Sequence, residues 1–223
     1  MVILYILAGY ICLSVGFDLF TRRYIDPYEL IMVFGAKGSG KTSYYIRLAL
    51  HYLKKGWHVY TNIEDIMVPG VRVFNTKHLG DYAPEADSIL LVDEAGIVWA
   101  DRDYKDFKPQ VRKFFKLQRH YRVKVYLSSQ NFDVDKKLRD LVDIMYLQVK
   151  KKRVFSIGKR INKDIKLVEA TGEGESHIAY NLVFAPILKW TLTYIPKYIG
   201  YYDSHLVPEL PPLPYEERKK AGV

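Results

Sequence analysis

The segment Gly35-Ala36-Lys37-Gly38-Ser39-Gly40-Lys41-Thr42 follows an apolar run, Ile31-Met32-Val33-Phe34, and opens a stretch of helical periodicity. A strand, a glycine-rich loop and a helix in that order form a phosphate-binding unit, and this unit needs a parallel sheet around it. The glycines let consecutive backbone N–H groups curl around an anion, and the helix N-terminus adds partial positive charge. In this reading Gly35, Ala36, Lys37, Gly38, Ser39, Gly40, Lys41 and Thr42 hold the phosphates of a nucleoside triphosphate. Lys41 reaches the β and γ phosphates, and the Thr42 hydroxyl holds Mg²⁺. An accidental match in an ordinary turn is the alternative, and the strand and helix flanks argue against it.

The rest of the chain supplies the sheet. Strands are expected at residues 29–34, 59–63, 71–74, 88–92, 123–129 and 144–149, and helices after the loop to Gly56, at 110–122 and at 135–142. Ser88-Ile89-Leu90-Leu91-Val92 is apolar throughout, which suits a parallel sheet covered on both faces. With 223 residues there is room for one α/β domain and short extensions, and not for a second large domain. The expected fold is therefore a P-loop α/β domain with a mainly parallel sheet flanked by helices.

At the N-terminus, Val2 through Phe17 carries no charged residue, and Arg22-Arg23 follows shortly after. This reads as a transmembrane anchor over residues 1–23, with the remainder of the chain on the cytoplasmic side by the positive-inside tendency. A cleaved signal peptide would want a basic residue before the apolar run and small residues at a cleavage site, and neither is present. A first core helix is the remaining alternative. The single cysteine, Cys12, forms no internal disulfide and suits a reducing compartment.

A formal charge of +9 suggests an acidic partner, nucleic acid or an anionic membrane face, although solubility alone is an equal explanation. Residues 150–168 alternate basic and apolar side chains, as in a hairpin with one solvated face, and either nucleic-acid contact or plain solvation accounts for them. The apolar stretch 178–190 is interrupted by Pro186 and Lys189 and is expected to pack against the domain. Residues 206–223 are proline-rich and charged and read as an extended arm.

Chemistry concentrates where strands end. Asp93, after an apolar strand, suits the water shell of Mg²⁺, and Glu94 beside it either deprotonates an attacking water, which a small-molecule kinase does not need, or only caps the following turn. Gln130 ends the strand 123–129. It either lies near the γ-phosphate as a sensor or simply starts a turn. Arg112, Lys116 and Arg119 at helical spacing form a basic face that offers an arginine finger to a neighbouring subunit, faces DNA, or is merely solvated. Arg139 is a further finger candidate.

Together, the loop at 35–42, Leu91-Val92-Asp93-Glu94-Ala95, Gln118-Arg119-His120-Tyr121-Arg122, Ser128-Ser129-Gln130 and the late Tyr201-Tyr202-Asp203-Ser204 resemble the zonular occludens toxin (Zot) family. Its members include assembly ATPases of filamentous phages and are similar to the FtsK–HerA class of DNA pumps. The resemblance implies an ATPase body at about 24–205, using ATP and Mg²⁺, that drives extrusion of single-stranded DNA during virion assembly at the host inner membrane. It also implies a homo-oligomeric ring, often a hexamer, and contact with other assembly or secretion proteins. It assigns Lys41 and Thr42 to phosphate and Mg²⁺, Asp93 to the metal side, Glu94 as base and Gln130 as sensor, and a ring would explain an arginine supplied in trans. Related phage proteins usually place the membrane helix after the ATPase and add an extracytoplasmic domain, whereas here the anchor comes first. The alternative function is a nucleotide-dependent membrane scaffold with slow or no turnover.

Overall fold

The computed structural model describes residues 1–21, 24, 26–99, 109–131, 136–168 and 177–203. Nine strands form one sheet: β1 Leu30–Phe34, β2 His58–Thr61, β3 Val71–Val73, β4 Ser88–Val92, β5 Val123–Ser129, β6 Ile144–Lys151, β7 Phe155–Val168, β8 His177–Phe184 and β9 Thr191–Tyr194. The helices are α1 Val2–Thr21, α2 Lys41–Lys54, α3 Ala95–Val98, α4 Pro109–Leu117 and α5 Lys136–Leu141. The strand order is β3-β2-β4-β5-β1-β6-β7-β8, with β9 also on β7.

Every pair from β3 across to β6 is parallel, and β6, β7, β8 and β9 pair antiparallel. β1, β4 and β5 are buried at every position, as their continuous apolar sequences require. Alternate side chains then define two cores. Ile31, Val33, Ile89, Leu91 and Tyr126 pack under α2 with Tyr44, Tyr45, Leu48 and Ala49. Leu30, Met32, Phe34, Leu90, Val92, Val125 and Leu127 pack on the other face with Trp99, Phe114, Phe115 and Leu138. At about 1.5–3 kcal/mol for each large apolar side chain fully buried, these two layers dominate stability. In the parallel register Phe34 lies beside Ser129 and Val92 beside Leu127, so the carboxyl ends of β1, β4 and β5 open on one edge.

The sequence expectations meet several corrections. Among the described residues no helix is long and apolar enough to cross a membrane, so the N-terminal span is not supported. α1 does form, but its uncharged part ends at Phe17 and includes Tyr5, Gly9, Tyr10 and Gly16, short of the about 20 mainly apolar residues a span needs. The helix expected over 110–122 ends at Leu117. Arg119 sits in the following turn and pairs with Asp143 at 2.9 Å, and Arg122, at φ 57°, pairs with Asp87. The basic face therefore keeps only Arg112 and Lys116 on the helix.

The stretch 178–190 joins the domain as expected, pairing with β7 and burying Ala185. It begins as the edge strand β8, where Leu182, Val183 and Phe184 are exposed. The hairpin at 150–168 is present as the β6–β7 turn and is longer on its first strand than expected. Lys163 of β7 donates to the carbonyls of Arg139, Asp140 and Val142, closing the C-terminal end of α5, and burial lowers its pKa below the ordinary lysine value. The proline-rich arm at 206–223, Arg22 and Arg23 lie outside the described residues.

Candidate functional site

The phosphate-binding loop runs from the end of β1 to the start of α2. Gly38 and Gly40 have φ of 73° and 90°, in the left-handed region that glycine reaches without strain, and Gly40 precedes the first turn of α2. The loop is fixed from both sides. Its Gly35 amide donates to the Ser129 carbonyl of β5 at 3.2 Å. On the β6 side, a Cβ on Gly35 would lie 2.4 Å from the Gln148 carbonyl oxygen, so only glycine fits there.

Lys41 is buried at 7% exposure, and its ammonium donates to the Gly35 carbonyl at 2.9 Å. Among the described residues two of its three donors have no partner, which suits an incoming anion. Thr42 follows on the first turn, half-buried. Ser43, next to it, lies 3.0 Å from the Tyr202 hydroxyl, and Tyr201 and Tyr202 pack with Tyr198 against Ile46 and Leu50 of α2. The late Tyr201-Tyr202 motif thus closes on the nucleotide helix.

Asp93 and Glu94 follow β4. Glu94 takes φ 51° and ψ 47°, a left-handed turn that starts α3 and is uncommon for a non-glycine residue. Asp93 Oδ1 accepts hydrogen bonds from the Ser128 hydroxyl and from the Glu94 amide, the latter at 3.1 Å. Among the described residues its Oδ2 has no hydrogen-bond partner, which leaves one oxygen for a metal's water shell. The Glu94 carboxylate accepts from the Gln130 side-chain amide at 3.1 Å. Gln130 therefore reaches the base itself, in addition to lying at the end of β5.

Three residues support this turn, and of them only Ser128 belongs to a motif in the sequence. Asn62, just beyond β2, accepts from the Asp93 amide at 2.7 Å and donates to the Asp93 carbonyl at 3.0 Å, bridging the two strand ends with one side chain. Ser128 orients Asp93 from β5. Tyr45, fully buried on α2, donates to the Val92 carbonyl at 3.3 Å. Burial, assisted by the Asp93 charge, holds the Tyr45 phenol well above its ordinary pKa, so it stays a neutral donor. Asn62 was within reach of sequence reasoning only as a polar residue ending the strand next to the Asp93 strand.

Asn62→Ala is expected to leave the Asp93 amide and carbonyl unpaired, destabilising the protein by about 1–3 kcal/mol. Release of the turn should lower kcat for hydrolysis by about tenfold or more with little change in KM. Thermal unfolding alongside steady-state kinetics checks both effects.

Lys41, Asp93, Glu94 and Gln130 gather on the edge where β1, β4 and β5 end. Arg112, on α4, and Arg119, paired with Asp143, make no hydrogen bond or ion pair to them among the described residues. Arg139 lies on α5.

A parallel sheet with a glycine loop between its central strand and a covering helix, and two carboxylates at the end of a nearby strand, defines a P-loop NTPase. The family model for zonular occludens toxin (Zot) matches residues 72–205. The chain belongs to the Zot family. That match begins after the phosphate loop, so the loop stands on its own sequence and geometry.

Among solved structures, the chain is similar to the N-terminal domain of zonular occludens toxin from Neisseria meningitidis, at 18% identity and a TM-score of 0.50, covering 79% of this chain and 99% of that one. It also matches the genome packaging NTPase B204 from Sulfolobus turreted icosahedral virus 2 in complex with AMP, at 16% identity, 57% and 78% coverage and a TM-score of 0.44. The ATPase domain of G40P matches at 10% identity, 82% and 98% coverage and a TM-score of 0.45. No curated protein matches the chain.

Proposed function

We propose that the protein is an ATPase that drives single-stranded DNA transfer during phage assembly, of the filamentous type. The observation that carries the hydrolytic reading is the Glu94–Gln130 contact at the mouth of the site, because a carboxylate held there is placed to take a proton from water. Membership of the Zot family supports the assembly role.

In this reading ATP lays its phosphates along residues 35–42. Lys41 turns its free donors from the loop to the β and γ phosphates. Thr42 and Asp93 would hold Mg²⁺, which would offset the charge of the transferring phosphoryl group; Asp93 Oδ2, without a hydrogen-bond partner among the described residues, fits this role, since Mg²⁺ takes few protein ligands and keeps its waters. The nucleophile is water, aligned by Glu94, which accepts its proton as the bond to the γ-phosphorus forms and ADP leaves. Gln130 exchanges its bond to Glu94 for the γ-phosphate oxygens and so releases the base only when triphosphate is present.

Subunits assemble as a ring, in which Arg112 or Arg119 of one copy reaches the site of the next. α1 attaches the body, residues 24–205, to the cytoplasmic face of the host inner membrane. Ile6, Leu13, Phe17 and Leu19 are all exposed on it, an apolar surface.

The experiment is steady-state ATP hydrolysis by the full chain with and without single-stranded DNA. Stimulation by DNA, weakened by salt, supports the motor. Turnover indifferent to DNA supports the scaffold, and absence of turnover with ATP binding intact removes the motor altogether.

A further inference from the structure

The β6–β7 hairpin ends in Lys150, Lys151, Lys152 and Arg153, all exposed. The ion pairs among the described residues lie elsewhere, so no described residue neutralises these four cations. Lys152 and Arg153 make the turn with φ of 46° and 60°. Long L side chains in that region carry strain of about 1 kcal/mol or more each, which Asn-Gly in the same turn avoids. The sequence thus holds two cations at the tip against the local backbone preference.

Just behind the tip, the same hairpin touches the phosphate loop. The Ser156 hydroxyl, fully buried on β7, donates to the Ser39 carbonyl at 2.7 Å and lies 2.8 Å from the Gln148 side-chain oxygen of β6. A Cβ on Gly40 would lie 2.8 Å from Ser156 Cβ, and one on Gly35 would lie 2.4 Å from the Gln148 carbonyl. Loop and hairpin are therefore in contact at two points without a gap. Ser156 lies three residues from Arg153, so at about 3.3 Å for each extended residue the tip is within about 10 Å of the loop contact. A displacement of the loop by bound phosphates would then reach the tip, and an anion that reorients the tip would act back on the loop with equal coupling energy.

We propose that the tip, residues 150–153, binds the phosphodiester backbone of single-stranded nucleic acid, and that Ser156 couples this contact to the phosphate loop. The coupling half rests on the nucleotide-site reading above. A lipid surface is the poorer match: residues 150–153 include no apolar side chain to insert, and the nearest ones, Val154 and Phe155, are half-buried.

The test uses the full chain and a labelled oligothymidylate, followed by fluorescence anisotropy across a salt series. K152N/R153G removes two charges and relaxes the turn, so its unfolding temperature should be equal or higher. Its oligonucleotide affinity should fall about tenfold or more near 0.1 M salt, with the slope of log K against log salt smaller by about 1.4. K150Q/K151Q should weaken binding similarly. Unchanged affinity and slope in both variants overturn the tip as the contact. So does loss of binding to phosphatidylglycerol vesicles with oligonucleotide binding intact.

For the coupling, titration with a fluorescent ATP analogue should show an affinity shifted by oligonucleotide in the wild type and not shifted in Ser156→Ala, which still binds the oligonucleotide. A shift that persists in Ser156→Ala overturns the coupling. If the wild type binds no nucleotide, the site reading fails on its own, and the anisotropy series still decides the tip.

Discussion

Glu94→Gln is expected to lower kcat for ATP hydrolysis by about 10²–10⁴-fold, the usual contribution of a positioned general base, while nucleotide affinity stays near the wild-type value. The reason lies in how the residue is held. Its backbone is set by the left-handed turn after β4 and by the hydrogen bond from its amide to Asp93, and neither depends on the carboxylate. Glutamine at this position can still meet Gln130, amide to amide, so the geometry survives and only the proton acceptor is lost. Binding is measured by titration with a fluorescent nucleotide and turnover by phosphate release. Wild-type turnover in the variant would remove Glu94 from the chemistry and point to water activated without a protein base.

Lys41→Met should separate function from stability in the opposite sense. The ammonium is buried with one backbone acceptor and no acidic partner among the described residues, an arrangement that costs folding free energy until an anion arrives. Methionine keeps the apolar stem and removes the charge. The nucleotide-free protein should gain about 1 kcal/mol, or about 2–4 °C in unfolding temperature for a chain of this size, while ATP no longer raises that temperature and turnover is abolished. Melting curves with and without ATP read both effects. A variant that melts lower than wild type without ATP would show that the lysine stabilises the empty loop, and one still stabilised by ATP would show that Lys41 does not hold the phosphates.

The residues legible in the sequence were those whose chemistry or periodicity is local. The glycine loop, the all-apolar strands around it and the two acids after β4 each follow from neighbouring residues alone, and the structure places them on one edge as the parallel topology requires. The supports were not legible, because each is a contact between distant segments. Asn62 meets Asp93 across two strand ends, Ser156 meets Ser39 across the loop, and Tyr202 meets Ser43 from near the other end of the chain. The basic helix face was over-read for the same reason. Its spacing suggested three cations together, but Arg119 is drawn into a turn by Asp143, whose position depends on the register of β6 beside β1. At the N-terminus, an uncharged run pointed correctly to a helix and not to a supported span, since helix formation depends on the backbone and crossing depends on apolar length.

The antiparallel end of the sheet has a practical consequence. β8 closes the strand order with its outer backbone unpaired among the described residues, and Leu182, Val183 and Phe184 are exposed at its end with no charge among them. A second chain can extend such an edge strand by strand, and nothing in those three side chains opposes it. Self-association through β8 would stack protomers along their sheets and leave the carboxyl edge of β1, β4 and β5 open. Aggregates formed this way would still bind nucleotide, so retained binding in a purified sample is no guide to whether the protein is dispersed.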